Sequence, residues 1–97
     1  MSVNTFLKDL IEHVQKVRDP ETNRPLSESN IILEVSRVDE ETIRVVYSPF
    51  SPASPVAVDL GKRIREAVSE AAPNYKIQVV CKGHLLDDLV NRLLEQA

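Results

Sequence analysis

The sequence is short of several residues that specialised sites depend on. A single cysteine, Cys81, stands among 97 residues. No internal disulfide can form, and a reducing cytoplasm is the expected setting. The two glycines, Gly61 and Gly83, are too far apart to make the Gly-x-x-Gly clamp of KH-type RNA-binding domains. No apolar run approaches the ~18 residues of a membrane span. The amino end, "MSVNTFLKDLIEH", carries acids early and has no cleavage site, so a secretory signal is not expected there. Positive charge is not in excess either. The net charge of −3 argues against general affinity for nucleic acid or anionic membrane. The expectation is one complete cytoplasmic domain over residues 1–97, with 42% apolar residues to build its core.

Apolar periodicity supplies the elements. Phe6, Leu7, Leu10, Ile11, Val14 and Val17 recur at three and four. This predicts a first helix from Thr5 to Arg18, with Asn4 as N-cap and Asp19-Pro20 as stop. After a long polar segment, "IILEVSRV" places Ile31, Leu33 and Val35 on one face of a strand. "TIRVVY" does the same with Ile43, Val45 and Tyr47, and the short "DEE" turn between them makes a hairpin. Val56, Leu60, Ile64, Ala67, Val68 and Ala71 predict a second helix ending before Pro73. Gly61 inside it weakens the helix by ~1 kcal/mol relative to alanine. "YKIQVV" gives a third strand with Tyr75, Ile77 and Val79 inward, and "GHLLDDLVNRLLEQ" a last helix with a wide leucine stripe. The order α-β-β-α-β-α implies an α/β (α+β) two-layer sandwich with a three-stranded mixed sheet. Its second and third strands are joined by a right-handed parallel crossover.

Three motifs carry the resemblance to a known family. The first helix runs into "VRDPETNRPL", a hairpin follows, and "SPASPVA" precedes a helix and a strand. Over residues 5–80 the chain resembles the small iron–sulfur cluster assembly domains, PaaD-like and SufT-like. The resemblance implies work in maturing iron–sulfur proteins as a scaffold, carrier or adaptor toward client apoproteins. In that family the proposed reactive residue is the cysteine of a Ser-Pro-Gly-Cys-Pro-Ala loop. Here Ser54 stands at that position, Ala53 replaces the glycine, and Phe50 replaces a threonine. Asp19, Pro20, Glu21, Pro52 and Pro55 are retained.

Ser54-Pro55 reads as an N-cap followed by proline at the first helical turn. A cysteine there would face unpaired backbone N–H groups and the positive end of the helix, and would ionise readily. A serine hydroxyl does not, and it is a poor ligand for clusters normally held by thiolates. The expected function is therefore a non-enzymatic adaptor or partner-binding module in cluster maturation. Asp19, Glu21, Ser51 and Ser54 would form its loop site, and iron–sulfur apoproteins or assembly proteins would be its partners. A homodimer through the last helix is also expected. No stably bound cofactor is expected, although an iron–sulfur cluster stays open.

Two alternatives remain. Cys81 and His84, spaced Cys-x-x-His, could hold two corners of a metal site, closed by carboxylates such as Asp87 or Asp88. The simpler reading of "CKGH" has Cys81 extending the strand, Gly83 turning the chain and His84 capping the last helix. The other alternative is a general protein-interaction domain unrelated to clusters.

Overall fold

The computed structural model describes residues 3–96, and side chains from Thr5 to Gln96. Its elements are helix α1 (Val3–Gln15), strands β1 (Ile32–Arg37) and β2 (Thr42–Tyr47), helix α2 (Ala57–Ala71), strand β3 (Lys76–Cys81) and helix α3 (Asp87–Glu95). The fold is α+β. The sheet has order β1-β2-β3, antiparallel between β1 and β2 and parallel between β2 and β3. Alternation along β2 sends Ile43, Val45 and Tyr47 to a fully buried face. Leu10 and Val14 of α1, with Leu60, Ile64 and Val68 of α2, complete the core on that side. The opposite face, with Glu34, Arg44, Gln78 and Lys82, stays open to water, as one-sided alternation requires.

The helix α1 ends three residues before the expected Arg18. Its exit is tightened by bonds from Lys16 N–H to His13 O and from Val17 N–H to Val14 O, at 3.2 and 3.0 Å. Val17 O then accepts from Leu26 N–H at 2.9 Å, and Arg18 bridges to Pro25. The polar segment is thus a closed loop, turned at Asn23 with φ 58° and pinned by fully buried Leu26. The expected cap, Asn4, already has helical backbone, and its side chain lies outside the described residues. Within the α1 stripe, Ile11 is exposed.

The strand β1 departs from strict alternation. Ile32 pairs with Tyr47 and Glu34 with Val46, so Leu33 is an extra residue in a β-bulge. The bulge shifts the side-chain phase by one. Leu33 turns outward at 52% exposure, while Ile32 and Val35 pack against the core. Leu33 is therefore not on the inward face expected for it.

The last helix is shorter than its stripe suggested. Gly83, at φ 87°, turns the chain, and α3 begins only at Asp87. Of the six apolar residues in the stripe, Val90 and Leu94 are buried, whereas Leu85, Leu86, Leu89 and Leu93 are exposed.

Gly61 is explained by close approach. A Cβ there would lie 2.6 Å from Leu94 Cδ2 and 2.7 Å from the Tyr47 hydroxyl. The glycine lets α2 seat against both α3 and the sheet, while Tyr47 donates a 2.5 Å hydrogen bond to Ala57 O at the start of α2. Gly61→Ala should destabilise the chain by about 1–3 kcal/mol through overpacking, despite alanine's better helix propensity. Urea denaturation tests this, and an unchanged or raised midpoint would contradict the packing argument.

Candidate functional site

Parallel strands end on the same side of a sheet. The pairing of Tyr47 with Cys81 brings the loops after β2 and β3 together. The loop after β2 carries the three Ser-Pro pairs. It is tied back at its start by a 2.8 Å bond from Ser48 N–H to Ile31 O, and a Cβ on Gly83 would lie 2.7 Å from Ser48 Oγ. The turn after β3 is bolted to this loop by the Leu85 N–H bond to Pro52 O, at 2.8 Å, and by His84 Nε2 against Ser54 O, at 3.0 Å.

The Asp-Pro-Glu loop reaches the same place. Asp19 is buried, and its Oδ1 accepts from Glu21 N–H at 2.8 Å, an Asx turn favoured by Asp before such a reversal. Its Oδ2 is buried without a hydrogen-bond partner. Ser51 Oγ donates to Glu21 Oε2 at 3.1 Å, joining this loop to the serine-proline loop. Asp19, Glu21, Ser51, Ser54 and His84 therefore belong to one connected end of the molecule. His13, by contrast, lies on α1 facing Glu70 at 4.0 Å.

Ser54 does not sit where the N-cap expectation placed it. The helix α2 starts at Ala57 with Val56 as its cap residue and no side-chain cap bond. Ser54 is two residues earlier, buried, and its Oγ accepts from Val56 N–H at 3.3 Å. A Ser–Pro turn uses the hydroxyl locally before the helix begins. His84 meets the carbonyl of Ser54 rather than its hydroxyl, so it is not placed to take the Ser54 proton.

Cys81 and His84 are both committed elsewhere. Leu86 N–H donates to His84 Nδ1 at 2.9 Å, which leaves Nε2 as the protonated nitrogen donating to Ser54 O. His84 is thus a brace within the turn, and it precedes the α3 cap residue Leu86 rather than being the cap. The Cys81 thiol is buried and donates to Asp87 Oδ1 at 3.6 Å. Burial, and then the negative charge of Asp87, push it up to about 12. Asp87 also accepts from His84 N–H at 2.8 Å and from Gly83 N–H at 3.0 Å. Burial likewise raises the Tyr47 phenol above its ordinary range.

Asn91 was not singled out from the sequence. Its side-chain amide accepts from Cys81 N–H at 2.7 Å and donates to Cys81 O at 3.0 Å, closing the sheet edge as a further strand would. The one signal in the sequence is a polar residue bordering the buried side of the α3 stripe.

This donor set does not fit an iron–sulfur cluster. The thiol is neutral and buried, both imidazole nitrogens are bonded to backbone, and the serine oxygen is a hard ligand. Among the described residues, no group of three or more His, Cys, Asp or Glu is arranged to hold a metal ion.

An α+β domain with a parallel β2–β3 pair and three loops clasped at one end is the class that this geometry defines. The family model for the iron–sulfur cluster assembly protein matches residues 8–80, and the chain belongs to that family. It is 21% identical over 89 residues to "Uncharacterized protein MJ1129" of Methanocaldococcus jannaschii, covering 92% of this chain and 94% of that one. The crystal structure of the Domain of Unknown Function DUF59 from Bacillus anthracis superposes with a TM-score of 0.73. That match has 16% identity and covers 96% of this chain and 91% of the other, a likeness of fold.

The raised Cys81 thiol links stability to pH. Its ordinary value is 9.0, and the folded chain holds the proton up to about 12. The contribution is complete below the lower value and is lost as pH rises through the window between them. The stability difference between the wild-type chain and Cys81→Ala should therefore shrink steadily from pH 9 upward. Denaturation curves across that range test it, and a constant difference would contradict the buried neutral thiol.

Proposed function

We propose that the chain acts in iron–sulfur cluster maturation as a non-enzymatic adaptor, binding client apoproteins or assembly-machinery proteins rather than holding the cluster. The observation that carries this reading is Ser54. The family's loop framework is kept, its thiol is replaced by a hydroxyl already bonded to Val56 N–H, and the chain's one cysteine is buried behind Asp87. With no available thiolate, what the loop end retains is shape. Pro52, Ala53 and Pro55 are exposed, and the two proline rings fix their own φ and restrict Ser51 and Ser54 before them, so little order is lost on docking. Glu21 and Ser51 hold the loop against the Asp-Pro-Glu turn. The proposal places the chain in the cytoplasm, with a homodimer presenting two such loops.

The competing metal reading through Cys81 and His84 requires giving up one of the two ring-nitrogen bonds that brace the turn and ionising a thiol held neutral, so it is not adopted. A photo-crosslinker at exposed Ala53 tests the adaptor reading. It should capture iron–sulfur apoproteins or assembly proteins from native extract, whereas the same group at Gln78 on the open sheet face should not. Capture only of proteins that never carry clusters would sink the assignment and favour a general interaction domain.

A further inference from the structure

The helix α3 uses half of its apolar surface. Val90 and Leu94 pack inward, but Leu86, Leu89 and Leu93 follow one another at three and four along a second stripe. Leu89 and Leu93 each precede a buried residue by one position, about 100° round the helix. The second stripe stands in water at 58%, 47% and 41% exposure. Leu85, at 75%, extends it into the turn before the helix. Phe50, at 58%, is a further exposed apolar residue, carried by the loop whose Pro52 O receives the Leu85 N–H bond. A contiguous leucine stripe of this kind on a small domain marks an association surface.

The charges beside the stripe say what covers it. Asp88 in the first turn and Arg92 in the last lie on the same flank, four residues apart. When two copies of α3 pack antiparallel about a two-fold axis, the same flank of each helix meets the other. Asp88 of one copy then lies against Arg92 of the second, and the reverse pair forms by symmetry. A parallel pairing brings opposite flanks together, and no Asp88–Arg92 pair then forms across the seam. The stripe is thus self-complementary in one orientation.

We infer that this face binds a second copy of the chain. Leu86 of one copy packs on Leu93 of the other, the two Leu89 side chains meet near the axis, and Asp88–Arg92 pairs close the rim. This deepens the homodimer reading above and does not depend on any cluster chemistry. A helix of nine residues is only ~14 Å long. The interface is therefore at or below the ~1,200 Å² of standard stable complexes, and the dimer is weak and reversible.

Sedimentation equilibrium on the full chain from micromolar to millimolar concentration tests this. The expected result is a single monomer–dimer equilibrium. Leu89→Lys or Leu93→Lys should each raise the dissociation constant by at least about tenfold. Arg92→Asp should raise it by about fivefold, and adding Asp88→Arg should restore it. All four positions are exposed, so the helical circular dichroism should be unchanged. A chain that stays monomeric to millimolar concentration overturns the inference and leaves the stripe to a different protein. A dimer indifferent to both lysine variants, or one that the charge swap fails to restore, overturns it as well.

Discussion

The parallel pairing of β2 with β3 is the constraint from which the functional end follows. Because Tyr47 lies beside Cys81, the chain leaves both strands in the same direction, and the two following loops must share one space. The fold answers this crowding with side-chain-to-backbone bonds. Asp87 gathers the N–H groups of Gly83 and His84, Asn91 takes both backbone groups of Cys81, and His84 spans from Leu86 N–H to Ser54 O. Buried backbone groups without partners are expensive, so each bond both satisfies a group and sets a loop's position.

The same bonds decide the chemistry. A thiol becomes a nucleophile or a metal ligand when something stabilises its charge, such as a helix N-terminus or a cation. Cys81 has the reverse surroundings: a buried position and the carboxylate of Asp87 as hydrogen-bond acceptor. The loop before α2 carries a serine, Ser54, and no thiol. Ser54 is buried ahead of the helix cap with its hydroxyl bonded to Val56 N–H, and the thiol present is held where it stays neutral. Membership in the iron–sulfur cluster assembly family therefore supplies the framework, and these two residues are the ground on which the adaptor role is proposed.

Much of the fold was legible in the sequence because burial is one-sided and the apolar spacing is regular. The order of elements, the hairpin, the parallel crossover and the inward residues of β2 all follow from period two or period three-four. The bulge at Leu33 did not, because "IILEVSRV" satisfies strict alternation whether or not the ladder slips. The start of α2 was misplaced because Ser54 spends its hydroxyl on a local turn to Val56. Four of the six apolar residues of the last stripe are exposed, since periodicity reports that a face is apolar but not what covers it. In the candidate site, the motif singles out Asp19 and Glu21, and the structure shows Asp19 as a buried turn residue. Their connection to Ser51, and the bracing of Ser54 by His84, rest on loops that meet only in three dimensions.

The central claim is that this chain keeps the assembly framework without a thiolate able to hold a cluster. Anaerobic incubation with iron and sulfide, followed by desalting and visible absorption, tests it most directly. The account predicts that no sulfide-to-iron charge-transfer bands remain with the protein. Stable bands that disappear in Cys81→Ser would contradict it.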